Sequence, residues 1–575
     1  MGIAWQHAVD VSKYEKVSFY QQVYGVAPQL ASILVARDAD EINEYLNPTL
    51  RYYMPDPKLF IDMDKAAQRI VNAIKKKEKI AIFGDYDVDG ACSCAILANF
   101  FKFYKIPYEI YIPDRLVEGY GPNSEALKKL IANGASLIIT VDCGANSKDI
   151  LREIKDSGVD IVVLDHHQMT DLHEEDYALV NPNRLDDLTG QEHLCAAGVV
   201  FMALVRMIRF LKEDNYQTPD PLQFLDLVAF ATICDVVPLK GVNRAFIVKG
   251  LQIANKAYNK GLRALIKSAN FQEPLKPFHF GYILGPRINA GGRIGDQALG
   301  ARLLTCDCPQ EAFQIAEILT KLNQERQLME ATQLEQAEAM LMPYAIKDVP
   351  SSIVLGSEEW HPGIIGLIAS RLKEKYYRPA FAIAIKQDGF GIGSGRSIEG
   401  IDLGKLIHLA VTKGLLVKGG GHAMAAGFTI KKENIKSFQQ WIEKELEEKI
   451  KILEQNRCIK IDGIISASTA TIGFCKSLEM AGPYGAGNTE PIFALLNHEV
   501  AFLREVGKGH LSLSLSNQSG DRIKAIAFRV KESPLWEFFH DNIGRPVHIA
   551  GHLNLNYWQG NAIPQLRIID AAPIL

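Results

Sequence analysis

The sequence lacks any apolar run near the roughly 18 residues that a membrane-spanning helix needs. Its opening, Met1-Gly2-Ile3-Ala4-Trp5-Gln6-His7, has no basic-then-apolar signal pattern. Membrane roles are therefore not expected. Cysteine is sparse, with nine among 575 residues and no disulfide-framework spacing. Several cysteines (Cys92, Cys94, Cys143, Cys234) stand beside acidic stretches, which fits a reducing cytoplasm and excludes a stapled secreted scaffold. Cys306-x-Cys308 has no second pair at zinc-finger spacing and reads as two ordinary thiols. Excess charge is also missing: the net value is −4, so the molecule is no polycation. Binding to nucleic acid would need a positive potential confined to a groove.

What is present is ordinary globular composition, 47% hydrophobic and 23% charged, long enough for roughly three or four domains. Residues 1–75 read as an α-rich lead-in interrupted by Pro48, Pro55 and Pro57. From Lys79 the pattern alternates. Near-continuous apolar runs at 79–83, 107–112, 136–141 and 159–164 read as strands. The 3.6-spaced patterns at 91–104, 123–133 and 147–157 read as helices. Such alternation predicts βαβ units around a parallel sheet.

Each predicted strand is followed by chemistry. After 79–83 come Asp85, Asp87 and Asp89; after 107–112, Asp114 and Arg115; after 136–141, Asp142; after 159–164, Asp165, His166 and His167. The carboxyl ends of parallel strands share one edge, where open α/β sheets place their sites. Asp235 adds an acid inside the apolar stretch 231–238, which is costly unless it is paired or metal-bound. Clustered carboxylates repel one another until a cation neutralises them, so the edge reads as a divalent-metal site. A calcium loop of the EF-hand type is excluded, because its twelfth position is Ile96 in place of Glu.

Gly285-Pro286-Arg287-Ile288-Asn289-Ala290-Gly291-Gly292-Arg293 reads as a flexible backbone carrying phosphate-binding groups, Arg287, Asn289 and Arg293. Gly393-Ser394-Gly395-Arg396 and Gly419-Gly420-Gly421-His422 together read as a substrate cradle. Gln310 to Met342 contains no Gly or Pro, which predicts one helix of about 50 Å. The last 120 residues or so read as short strands, at 501–504, 511–515, 523–528 and 547–555, with Gly, Asn and Pro turns. That suggests a small barrel able to hold single strands by stacking, with Tyr557 and Trp558 as candidates beside Arg504, Lys508 and Lys524. Residues 458–575 hold 10 basic and 10 acidic side chains, so this grip should be modest.

Asp87-x-Asp89 with Ser93, then Asp142, Asp165-His166-His167 and Asp235, resemble the signature of the DHH phosphoesterase superfamily. The fuller stretches 84–90, 231–239 and 285–293 resemble its single-strand-specific 5′→3′ DNA exonucleases. His361-Pro362-Gly363-Ile364-Ile365-Gly366 and the two glycine motifs beyond it resemble the companion DHHA1 domain. The resemblance implies an α/β multi-domain protein. Its parts would be a lead-in (1–75), a parallel-sheet DHH catalytic domain (76–308), a long linking helix (309–343), a DHHA1 α/β substrate-binding domain (344–456) and an OB-like β-barrel (457–575). It implies two Mn²⁺ or Mg²⁺ ions held by Asp87, Asp89, Asp142, His166 and Asp235, with Asp85 and His167 immediately around them. Carboxylates with an imidazole suit such ions, and no Ser or Cys nucleophile is required. Arg115, Ser394 and Arg396 would receive a 5′-terminal phosphate, beside Arg287, Asn289, Arg293 and His422.

The activity implied is removal of nucleotides from the 5′ end of single-stranded DNA in repair and recombination. The enzyme would be a cytoplasmic monomer working with a helicase and a single-strand-binding protein. The alternative is a DHH phosphodiesterase acting on small nucleotides or oligoribonucleotides, though such chains usually lack the C-terminal barrel.

Overall fold

The computed structural model describes residues 3–114, 117–173, 176–271, 274–342, 349–507, 509–531, 533–558 and 561–574. Five parallel strands form the sheet that positions the acids. Their order is Tyr108–Tyr111, Ile80–Phe83, Leu137–Val141, Asp160–Leu164 and Ala178–Val180. The runs Ile80–Phe83 and Leu137–Val141 are buried at every residue, which is why they read as continuous apolar segments. Helices Ser124–Ala132 and Lys148–Lys155 bury Leu127, Leu130, Leu151 and Ile154 in one core with Phe83, Ile138, Ile161 and Val163 of the strands.

Two details differ from the sequence expectation. The helix after the first strand starts at Val88, not Ala91, because the Asp87 carboxylate accepts from the N–H groups of Asp89 and Gly90 and caps it early. The three-residue strand Ala178–Val180 was too short to show a period, yet it extends the sheet.

A second sheet of five strands holds Lys418–Gly421, Ala425–Lys431, Phe390–Arg396, Ala380–Ile385 and Ile353–Ser357 in that order. Only the last pair is parallel. Helix Pro309–Leu341, 33 residues long, packs at one end against Lys260–Ser268 and Gly285–Ile294 and at the other against Ile365–Tyr376. At ~1.5 Å per residue it spans about 50 Å.

Both sheets and this helix belong to one compact unit, residues 56–235 and 249–456. The other unit is built from three separated stretches, 1–55, 236–248 and 457–575. Its barrel closes when Phe493–Val506 pairs with both His510–Ser516 and Pro546–Trp558, and Arg522–Ala527 with Asn561–Pro573 completes the ring. Leu30, Ile33, Leu34 and Ile42 of the lead-in share its core with Phe493, Leu513, Ile549 and Leu566. Ala4–His7 pairs in parallel with Cys458–Ile461. No described helix is long and apolar enough to cross a membrane.

Candidate metal centre

The carboxyl ends of strands Ile80–Phe83, Leu137–Val141 and Asp160–Leu164, with the end of helix Leu225–Cys234, deliver their side chains to one place. His166 Nε2 lies 3.2 Å from Asp142, 3.7 Å from Asp89 and 3.7 Å from Asp235. Ligand atoms of Asp85, Asp87 and Asp142 form one group, those of Asp89, His166 and Asp235 a second, and those of Asp142, His166 and His167 a third; within each group all atoms lie within 4.8 Å.

Local structure holds these side chains. Asp89 sits in the first turn of its helix and accepts from Ala196 and Ala197 N–H at 2.6 and 2.8 Å, the amino end of helix Ala196–Glu213. Asp85 accepts from Tyr86 N–H at 2.8 Å. Asp142 follows its strand with φ of 58°, a left-handed backbone that costs energy and turns the carboxylate away from the strand direction. Val236, directly after Asp235, has φ of 59°, unusual for a β-branched residue.

Asp165 plays a different part from its neighbours. One of its oxygens accepts from His166 N–H, His167 N–H and His167 Nδ1, at 2.7, 3.2 and 2.8 Å. The other accepts from Ala145 N–H at 2.9 Å. Burial works against its charge, but the His167 hydrogen bond and the imidazoles hold its carboxyl down at about 2. Burial likewise opposes a charged His167, yet the Asp165 hydrogen bond and the surrounding carboxylates raise it to about 9. For Asp89, Asp142 and Asp235 burial comes first and repulsion between carboxylates adds to it, so all three are pushed up.

Among the described residues, the ion pairs of these three acids are with histidines alone. Three converging carboxylates whose described ion pairs are with imidazoles form a donor set that calls for cations. Oxygen atoms with one or two imidazoles suit ions such as Mn²⁺ or Mg²⁺.

The sequence did not single out the groups that hold the histidine loop. Asn183 Nδ2 donates to His166 O at 2.6 Å, and Asn181 Nδ2 to His167 O at 2.8 Å. Both follow the unforeseen strand Ala178–Val180, and Asn183 is fixed in turn by Gln168. Tyr120 Oη donates to Asp142 O at 3.0 Å and lies 3.1 Å from His167 Nε2. It stands in a loop without periodicity, so no sequence pattern marked it.

The expected phosphate groups are placed less uniformly. Arg115 and Lys508 lie outside the described residues. The stretch 285–293 is not a flexible loop but part of helix Gly285–Ile294. Its glycines serve close approach: a Cβ on Gly292 would stand 2.1 Å from the Tyr86 ring, and one on Gly285 2.5 Å from Cys234 Sγ. Asn289 Oδ1 accepts from Val88 N–H at 3.1 Å, tying this helix to the one that bears Asp89. Arg287 donates to Ile283 O and to Thr320 Oγ1. Arg293 donates to Gly363 O at 3.2 Å.

Arg396 donates to Ser394 Oγ at 2.9 Å, and Gly366 lets both approach, since a Cβ there would meet Arg396 Nη2 at 2.9 Å. Gly419, Gly420 and Gly421 form an exposed edge strand. His422, just beyond it, borders a cavity of about 660 Å³ with Gln168, Lys405 and His408. That cavity joins the histidine loop to helix Leu403–Thr412. Tyr557 of the barrel is 44% exposed, which leaves its ring accessible.

Comparison with known proteins agrees with this geometry. The DHH family N-terminal domain matches residues 79–232, the DHHA1 domain 342–448 and the RecJ OB domain 461–570. The single-stranded-DNA-specific exonuclease RecJ of Salmonella typhimurium is 34% identical over 533 residues, covering 89% of this chain and 90% of its own. The chain belongs to the RecJ family. The Escherichia coli RecJ is 33% identical over 528 residues, again covering 89% of this chain and 90% of the relative. The crystal structure of RecJ in complex with Mn²⁺ from Thermus thermophilus superposes with a TM-score of 0.81 at 27% identity, over all of this chain and 79% of that one. The Mg²⁺ complex from the same organism gives 0.75, likewise at 27% identity, over all of this chain and 78% of that one. The RecJ barrel family thus matches the strands that the sequence suggested as OB-like, and the solved RecJ structures carry the ions expected for this donor set.

Proposed function

We propose that this protein is a metal-dependent exonuclease that hydrolyses single-stranded DNA from its 5′ end and releases mononucleotides, in DNA repair and recombination. The observation that carries the reading is the convergence of carboxylates and His166 at the ends of three parallel strands and of helix Leu225–Cys234. The names of the RecJ relatives support the substrate.

Asp87, Asp89, Asp142, His166 and Asp235 would hold two divalent ions, Mn²⁺ or Mg²⁺, with Asp85 and His167 beside them. Such ions, when bound, neutralise the phosphodiester and activate water for in-line displacement. The chain's own groups do the rest. The Ala196 and Ala197 amides fix Asp89. Asp165 keeps His167 oriented by accepting from its Nδ1. Arg396, steadied by Ser394, offers a planar guanidinium to the 5′-terminal phosphate, a part that Arg115 would share. His422 and Lys405 on the cavity wall receive the strand behind it. Arg287, Asn289 and Arg293 hold the adjoining helix in place and line the path of the backbone.

The molecule acts as a monomer in the cytoplasm. A helicase and a single-strand-binding protein would supply the unpaired strand.

The test is a time course on end-labelled single and double strands with and without manganese. Mononucleotides should appear first from the 5′ end of single strands. Asp87→Ala should abolish hydrolysis and leave strand binding largely intact. Unchanged cleavage by that variant would overturn the ligand assignment, and internal fragments appearing first would overturn the exonuclease reading.

A further inference from the structure

Asp235 closes helix Leu225–Cys234, its N–H donating to Ala231 O at 2.9 Å. Directly after it the chain leaves one compact unit and enters the other, to return at Lys249. Val236, the first residue across, has a left-handed backbone at φ of 59° and is 68% exposed. A β-branched residue keeps that conformation only where its surroundings impose it. The Val236 side chain, out in solvent, imposes nothing, so the constraint comes from the residues that follow.

Those residues are fixed one after another. Pro238 O accepts from Lys240 N–H at 2.9 Å and from Asn243 Nδ2 at 3.0 Å. Leu239 N–H donates to Ala486 O at 2.8 Å. A Cβ on Gly485 would stand 2.8 Å from Leu239 Cδ1, and one on Gly487 3.1 Å from Pro238 Cβ. The next helix, Gly241–Ala254, comes back against the helix that ends in Asp235: a Cβ on Gly250 would lie 2.2 Å from Leu225 O. Asp235 therefore heads a short loop whose two flanking helices touch.

Arg244, in the first turn of that second helix, locks the loop. Its side chain is 1% exposed. Its Nη2 donates to Gly482 O, Tyr45 O and Ala481 O at 2.6, 2.9 and 3.3 Å. The guanidinium lies over the Tyr45 ring, 3.9 Å from its centroid. The three stretches that build this unit, 1–55, 236–248 and 457–575, thus meet at one side chain. Its Nε and Nη1 find no hydrogen-bond partner among the described residues. Burying a guanidinium on carbonyls, with two of its nitrogens unmatched, is costly where apolar packing would serve. What the planar group adds is direction, because several fixed acceptors admit one placement of the backbone that carries it.

We propose that Arg244 is a positioning residue for the metal centre. It holds segment 236–243, and through that segment it holds the carboxylate of Asp235 toward the ion that Asp89, His166 and Asp235 would share. The inference rests on the ligand assignment above and adds the residue that makes one ligand depend on the fold of the other unit.

The experiment titrates the full chain with manganese and follows the free ion by electron paramagnetic resonance, with no substrate present. The wild type should bind two ions. Asp235→Ala should weaken one of them. Arg244→Met should weaken the same ion about 10- to 100-fold, as when a group that orients a ligand is lost, and leave the other unaltered. Arg244→Lys should recover part of the loss. Asn243→Ala, which removes only the bond to Pro238 O, should weaken that ion to a smaller degree, and it decides the matter where Arg244→Met fails to fold. Arg37→Met, which breaks an ion pair elsewhere in the same unit, should leave both ions in place. Unchanged binding in Arg244→Met and Asn243→Ala would overturn the proposal. So would equal loss of both ions, or an equal loss in Arg37→Met, since either shows general destabilisation of the unit. Two ions still held tightly by Asp235→Ala would fall on the ligand assignment and remove the role of Arg244 with it.

Discussion

Asp165 shows how little of a site is its ligands. A single carboxylate receives two backbone amides and the imidazole of the loop 165–167, and a third amide from Ala145. Asp165→Asn keeps the size and removes the charge beside His167. The imidazole, now at about 9, should fall toward its ordinary 6.5, read directly from its NMR titration. Manganese affinity should drop about 10- to 100-fold, the usual effect of losing a group that orients a histidine. A different buried acid gives an opposite pH signature. Asp226 has no hydrogen bond at Oδ2, and burial raises its carboxyl from 3.8 to about 7. The folded form therefore keeps a proton that the unfolded chain releases above 3.8. Stability is undiminished below pH 3.8 and declines as pH rises toward 7, then levels off. Asp226→Asn, which mimics the protonated acid, should leave the unfolding temperature unchanged at pH 4 and raise it at pH 8. A uniform change across pH would show that ionisation is not involved.

At the scale of elements, helix 285–294 carries the sharpest expectation. Its glycines are contact surfaces, so Gly292→Ala must displace Tyr86, the residue between Asp85 and Asp87. Overpacking of this kind costs ~1–3 kcal/mol. Activity should fall at least ten-fold, and Tyr86→Ala in the same chain should restore the lost stability in part. Stability unaffected by Gly292→Ala alone would mean that the helix shifts freely. The same helix marks where sequence reading stopped. Glycine-rich composition suggests flexibility, and only the neighbouring ring and thiol reveal that the absent Cβ is what matters. Strands Ile80–Phe83, Leu137–Val141 and Asp160–Leu164 were legible because both their faces are buried, which writes a nearly unbroken apolar run. Ala178–Val180 is three residues long, and with it Asn181 and Asn183 escaped notice. The acids themselves were legible for an energetic reason: a carboxylate directly after a buried strand is too costly to be accidental. Tyr120, in an irregular loop, carried no such mark.

For the whole molecule, residues 1–55 of the lead-in turn out to belong to the same unit as the C-terminal barrel. Pairing of Ala4–His7 with Cys458–Ile461 closes more than 450 residues of chain, and no local pattern encodes a partner so far away. Arg37 reaches Asp462 at 2.8 Å, and both side chains are largely shielded, at 13% and 3% exposure. Removing one member of such a pair costs ~3–5 kcal/mol, because the other stays buried and charged. Leu30, Ile33, Leu34 and Ile42 add the apolar half of the same contact. A chain beginning at Asp56 should therefore keep the parallel-sheet unit, whose core uses none of these residues, and lose the barrel. Calorimetry should show one transition missing, and limited proteolysis should cut within 457–575. A peptide spanning residues 3–55 added in trans should restore protection. Arg37→Met should lower only the barrel's transition. A truncated chain whose barrel resists protease would mean that the strands close without the lead-in, and that the shared core is a passive covering.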